Sequence, residues 1–319
     1  YYRAAEQTRM AAAKLIGAHP DEVTLVKNTS EGINFVASGI QWAAGDNIVS
    51  NAMEFPANVI PWMNLEHRNV FLRTIHEVDG RIPFDQIAAR IDSRTRLVAV
   101  SAVQWSNGFR TDLTRLGELC KDKGVLLCVD AIQALGVHPI DVRRMNIDFL
   151  AADGHKWLCA PEGIGIFYCR RELLGHLRPS CVGYLCMKGD YDTTERRFDL
   201  RDDARRFDSG AYNLVGIAAL GASIRLLLEV GIEEVQRRVK ALTDQLVEGV
   251  KQKGWQVHSP RTSAEWSGIV SFSSDKHDLL ALKNHLLAEF KIVISRRLGR
   301  LRASPHFYNT PDEIDQLVS

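Results

Sequence analysis

Six short runs in this chain are apolar almost throughout: DNIVS (46–50), NVFLRTI (69–75), RLVAVSAV (96–103), GVLLCVD (124–130), DFLAAD (148–153) and GIGIFYC (163–169). Each is bounded by turn-forming residues, and longer stretches with helical spacing lie between several of them. A strand that is apolar on both faces must be covered on both faces, and strands separated by helices pair in parallel. The pattern therefore predicts an α/β fold with a large, mainly parallel sheet of about seven strands and helices on either side. One connecting segment shows the rule in detail: in DLTRLGELCKDKG (112–124), Leu113, Leu116 and Leu119 repeat at helical spacing, Asp112 is placed to cap the start and Gly124 to end it.

From about Tyr212 the pattern changes to two long helical stretches, LVGIAALGASIRLLLEV and IEEVQRRVKALTDQLVEGVKQKG. Beyond them, WSGIVSFSS (266–274) and FKIVISRR (290–297) flank the helix-like DLLALKNHLLAE. The expected organisation is a large domain over residues 1–232 and a small C-terminal α+β domain over 233–319. The chain starts on YYRAAEQTRM, already at helical spacing and without an initiator Met, so a preceding N-terminal segment is expected.

Charge removes several functions. Forty basic and 39 acidic side chains leave a net charge of +1, so no overall field draws the protein to nucleic acid or an anionic membrane. The alternating charges from Glu195 and Arg196 through Arg201, Asp202, Asp203, Arg205 and Asp208 read as a solvated ion-pair network. No run reaches the roughly 18 apolar residues of a membrane span. The six cysteines show no CxxC spacing, and Cys128 sits inside an apolar run, which points to a reducing compartment, here the cytoplasm. Motifs for other chemistries are missing: GIGIFY (163–168) leads into a strand and lacks the third glycine of a dinucleotide site, and neither a P-loop nor an HExxH pair occurs.

Ligands of open α/β sheets bind beyond the carboxyl ends of the strands. There the sequence places Asp130, then Gln104, Trp105 and Asn107, then Asp153, His155 and Lys156. A lysine amine forms a Schiff base with an aldehyde, and pyridoxal 5'-phosphate is the aldehyde cofactor that uses it. That cofactor's ring nitrogen calls for a carboxylate and its phosphate for a helix N-terminus. KNTSEGINFVASG (27–39), with Thr29 and Ser30 opening a helical pattern, offers the phosphate cradle. Read separately, the lysine also fits a surface turn and NTSEG a simple helix cap.

Together, NTSEGIN (28–34), VDAIQALG (129–136), ADGHKWLCAPEGIG (152–165), RFDSGAYN (206–213) and RLRASPHFYNTPDEID (300–315) resemble the class V aminotransferase family of pyridoxal-phosphate enzymes, in the same order and over nearly the whole chain. This family includes cysteine desulfurases and isopenicillin-N-epimerase-like proteins, and has fold type I. The resemblance implies that Lys156 carries the cofactor and moves the substrate α-proton, and that Asp130 pairs with the ring nitrogen. It further implies that Gln133 bonds the ring hydroxyl, that Thr29, Ser30 and His155 hold the phosphate, that Asn107 lies near the ring oxygen, and that Arg302 clamps the α-carboxylate of a small amino acid. A homodimer with its site at the subunit boundary is also implied. The first expectation for activity is transamination or epimerisation; the alternative is a C–S lyase or desulfurase-related activity on a cysteine derivative, and a non-catalytic cofactor-binding protein is the third.

The chain departs from the family's pattern at four places. VISRRLGRLRASPHFYN (293–309) has no cysteine where desulfurases carry one on a mobile loop, leaving only Cys181 or Cys186 to reach in from elsewhere. The ring-covering histidine is replaced by Gln104, with Trp105 beside it, so an amide or an indole covers the ring. Asp153 stands where a serine is usual, and its charge predicts that it turns from the phosphate toward a backbone N–H. GAYN replaces a threonine-bearing turn, so the cross-subunit phosphate contact is expected either to be lost or to be replaced by the Tyr212 hydroxyl.

Overall fold

The structure is a computed structural model and describes residues 2–189 and 197–319. Its helices are α1 (Tyr2–Ile16), α2 (Thr29–Gly39), α3 (Ile60–Met63), α4 (Phe84–Arg90), α5 (Leu113–Lys123), α6 (Arg171–Leu174), α7 (Leu214–Val230), α8 (Ile232–Gln252), α9 (Leu279–Phe290) and α10 (Pro311–Val318). Strands β1 (Val23–Val26), β2 (Asn47–Asn51), β3 (Phe71–Ile75), β4 (Thr95–Ser101), β5 (Leu126–Asp130), β6 (Phe149–Asp153) and β7 (Gly165–Cys169) form one sheet in the order β1-β7-β6-β5-β4-β2-β3. From β3 to β6 neighbours are parallel; β7 runs antiparallel to both β6 and β1.

Strand alternation divides the core in two. Val98, Val100, Leu127, Val129, Leu150 and Ala152 face one side, where α1, α5 and α7 bury Ile16, Leu116 and Ile217. Their neighbours Leu97, Ala99, Cys128, Phe149 and Ala151 face the other, against Ile33 and Val36 of α2 and Trp62 of α3. Cys128 is a core residue there, as its apolar run predicts. The α5 boundaries also follow their expected caps: Asp112 Oδ1 accepts from Arg115 N–H at 3.0 Å, and Gly124 ends the helix at φ 65°.

Helices α7 and α8 meet at 82° across Gly231. Ile232, Val235 and Val239 at the start of α8 pack into the large core. Leu242, Leu246 and Val250 further along cover a second, antiparallel sheet of order β10-β11-β9-β8, made of β8 (Gln256–Val257), β9 (Val270–Ser273), β10 (Ser295–Arg297) and β11 (Arg300–Ala303). Among the described residues, no single helix is long and apolar enough to cross a membrane.

The charged stretch before α7 differs from its expected solvated network. Asp203 and Arg205 do form a partly exposed pair at 2.5 Å, and Lys188 meets Asp202 at 2.9 Å. Asp208, however, is buried and bonds to Arg9 of α1, itself 1% exposed, at 2.5 Å. Thr24 and Tyr212 donate to the same carboxylate. Desolvation raises the Asp208 carboxyl and the Arg9 charge opposes it, so the pair ties α1 and β1 to the segment preceding α7. Glu195 and Arg196 lie outside the described residues.

Candidate active site

Three strands deliver side chains to one point. Ser101 of β4 pairs in register with Asp130 of β5, and Asp130 with Ala151 of β6, so β4, β5 and β6 end side by side. Beyond them opens a cavity of about 440 Å³ lined by Asp130, Ile132, Gln133, Asp153, His155 and Lys156 from the strand ends, Asn28, Thr29 and Ser30 from the start of α2, Phe55, Ala57 and Trp105 from loops, and Arg297 and Arg302 from the second sheet. Helix α2 approaches closely because Gly32 has no side chain: a Cβ there would lie 2.8 Å from the Ala151 Cβ. Asn28 Oδ1 caps the Glu31 N–H at 2.9 Å. The preceding first-turn N–H groups have no intrahelical acceptor, and they give this wall a positive potential.

Asp130 is 2% exposed. One of its oxygens accepts from the Ile132 N–H at 3.0 Å. Desolvation lifts its carboxyl to about 7, against the lowering effects of the Ile132 N–H and the Lys156 charge. Lys156 is lowered, chiefly by desolvation, which increases the share of neutral, nucleophilic amine. Its Nζ lies 5.6 Å from the Phe55 ring centroid, and Phe55 meets Trp105 edge-on at 5.6 Å, so two aromatic rings border the amine.

Gln133 is held by a residue that sequence reasoning did not single out. The Trp157 indole N–H donates to Gln133 Oε1 at 3.0 Å, which turns the amide's own donor group toward the cavity. Gly268 makes room for that indole, since a Cβ there would lie 2.4 Å from it. Thr29 Oγ1 accepts from the Asp153 N–H at 3.1 Å, keeping its own proton to donate. Asp153 does not turn away: its carboxylate lines the cavity, 3.0 Å from His155 Nδ1 but out of line for a hydrogen bond. Imidazole proximity in place of a backbone N–H corrects the expected orientation.

Arg302 reaches in from β11. Its Nη1 donates to the Trp105 carbonyl at 2.5 Å, while its Nε is buried without a partner. Burial, helped by the Arg297 charge, lowers it to about 10.

Gln104 and Asn107 do not line the cavity. Gln104 is fully buried and donates to Glu54 Oε1 at 2.8 Å; Asn107 donates to the Gly80 carbonyl at 2.6 Å and accepts from the Phe109 N–H. Glu54, another residue the sequence did not mark, gathers further donors from Asn51, Asn58 and the Ser101 N–H. With Gln104 drawn down to this carboxylate, the indole of Trp105 is the group exposed to the cavity. The Tyr212 hydroxyl is likewise committed within its own chain, to Asp208 Oδ2 at 2.8 Å.

None of the six cysteines lines the cavity. Cys186 is buried, its thiol bonded to the Gly183 backbone, and Cys181 is exposed elsewhere. Residues 295–303 form a tight hairpin. Leu298 and Gly299, at φ 47° and 75°, fit the two-residue turn that matches strand twist.

The groups present fit pyridoxal phosphate: a desolvated lysine, a buried carboxylate with no ion pair among the described residues, an amide donor and a helix N-terminus. Such a site on such a sheet defines a pyridoxal-phosphate-dependent enzyme of fold type I. The family model for Aminotransferase class-V matches residues 1–317, and the chain belongs to that family. It is 31% identical to a probable cysteine desulfurase of Methanothermobacter thermautotrophicus, over 99% of this chain and 82% of the relative. It is also 31% identical to an uncharacterized aminotransferase, YcbU, of Bacillus subtilis, over 98% and 82% of the two chains. Among solved structures, the cystine C–S lyase C-DES, in complex with its reaction product cysteine persulfide, superposes with a TM-score of 0.91 at 25% identity, covering 99% of this chain and 85% of that one.

Proposed function

We propose that this protein is a C–S lyase that eliminates sulfur from a cysteine derivative without a protein thiol. The observation that carries the reading is the cavity itself, which joins Lys156, Asp130 and Arg302 and has no cysteine in its walls. Similarity to desulfurases and to a cystine C–S lyase supports it over the transaminase or epimerase reading, which becomes second.

When bound, pyridoxal phosphate supplies an aldehyde for an amine and a ring that accepts the electron pair released at the substrate Cα. Lys156 is the amine that holds the aldehyde until substrate arrives, and then the base that removes the Cα proton. Asp130 is the carboxylate for the ring nitrogen, and a positive partner there offsets the cost of burying its charge. The Gln133 amide donates to the ring oxygen, with Trp157 fixing its direction. Thr29, Ser30, His155 and the start of α2 bind the phosphate, and Asp153 accompanies His155. Trp105 covers the ring, while Gln104 and Asn107 shape the loop behind it. Arg302 grips the α-carboxylate with its planar fork. In the elimination the Cβ–S bond breaks and its electron pair leaves with sulfur; the carbon fragment is released by water as pyruvate and ammonia.

The exposed Phe55, Ile60 and Met63 beside the site support a homodimer whose partner covers this edge. Six free cysteines support a reducing, cytoplasmic setting. The test of activity is incubation with cystine, cysteine and cysteine sulfoxides while following pyruvate. Pyruvate release supports the lyase; conversion to the pyridoxamine absorbance without pyruvate returns the transaminase reading to first place.

A further inference from the structure

Two arginines reach the cavity from one hairpin. Arg302 on β11 pairs in register with Ser295, and Arg297 ends β10 opposite Arg300, across the tight turn at Leu298 and Gly299. Both line the same cavity as Lys156. Neither has a carboxylate within ion-pair distance among the described residues: Arg302 bonds the Trp105 carbonyl, and Arg297 has only a 3.5 Å contact to the neighbouring Arg296 carbonyl. The acids in the walls pair with neither arginine: Asp153 lies beside His155, and Asp130 is buried at the strand end. After desolvation, the Lys156 ammonium is favoured by the Asp130 charge and disfavoured by those of Arg302 and Arg297, and the Arg297 charge also disfavours that of Arg302.

An α-carboxylate satisfies one fork. The second fork, on the exposed Arg297 beside the turn, lines the same cavity and is left for another anionic group. We propose that Arg297 makes the site select α-amino acids whose side chain ends in a second anionic oxygen group, such as a carboxylate, sulfinate or sulfonate. This rests on Arg302 as the α-carboxylate clamp of the reading above.

The experiment compares S-carboxymethyl-L-cysteine with S-carbamoylmethyl-L-cysteine, which have nearly the same shape and differ in charge. Each is titrated into the holoenzyme, with binding read from the shift of the cofactor's visible band. Pyruvate is measured in parallel. The acid should bind roughly tenfold more tightly than the amide, the size of one charge-assisted hydrogen bond at a partly exposed site. In Arg297→Gln that ratio should fall to about one, with the loss falling on the acid. Three results overturn the proposal: no preference in the parent protein, including no shift with either compound; equal weakening of both compounds, which makes Arg297 a second ligand of the α-carboxylate; or weakened cofactor retention, which makes it a phosphate ligand. A charge preference in binding without pyruvate leaves this inference standing and ends the lyase reading.

Discussion

The Trp157 indole N–H donates to Gln133 Oε1 at 3.0 Å, and this contact decides which face of the Gln133 amide meets the cavity. If the pair acts as a unit, its two members should not contribute independently. Gln133→Ala and Trp157→Phe should each weaken cofactor affinity by roughly three- to tenfold, and the double variant should lose little more than the worse single one. Equilibrium dialysis of the cofactor measures this cycle, and additive losses would show that Trp157 acts only through packing.

Trp105 and Gln104 are adjacent in sequence and separate in role. Trp105→Ala should weaken cofactor binding and alter its visible spectrum while the fold persists. Gln104→Ala leaves Glu54 one donor short, and should lower stability by about 1–3 kcal/mol with the spectrum retained. Thermal unfolding and cofactor titration of both variants separate the roles; a spectral loss confined to Gln104→Ala would put the amide over the ring.

Asp130 should impose a pH dependence on the cofactor-free protein. Its folded value of about 7 lies above the ordinary carboxylate value. Between roughly pH 4 and 7 the native state therefore holds a proton that the unfolded chain has lost, and stability falls as pH rises through that window. The drop should amount to a few kcal/mol, roughly, and level off above it. Urea unfolding at pH 5 and pH 8 measures this, and Asp130→Asn should remove this contribution to the slope. An unchanged slope in the variant would place the titrating group elsewhere.

Arg302→Ala should lower kcat/KM for α-amino acids by roughly a hundredfold, as expected for a lost partner of a buried charge. Amines without a carboxylate should be affected far less. Comparing an amino acid with its decarboxylated analogue provides the measurement, and equal effects would move the clamp to another residue.

The large sheet was legible because its strands are short, apolar on both faces and bounded by turns. Strand β1 escaped notice: VTLV is only four residues long and follows a 3-10 turn at Pro20–Glu22, so it has little pattern of its own. The two-residue β8 and the alternating RLRA of β11 were missed for the same reason. In the site, Lys156, Asp130 and His155 were legible as polar residues at the ends of apolar runs. Phe55, Trp157 and Arg297 were not, because their positions depend on loops and on a hairpin from a distant part of the chain. Asp208 shows the opposite error, since a sequence rich in alternating charge concealed one carboxylate that the fold buries against Arg9.

The chemistry proposed for this cavity depends on the amine that holds the aldehyde. Borohydride reduction of the holoenzyme, followed by peptide mapping, fixes the cofactor where it is bound. The label should be found on Lys156; a pyridoxyl group on any other lysine would contradict the assignment.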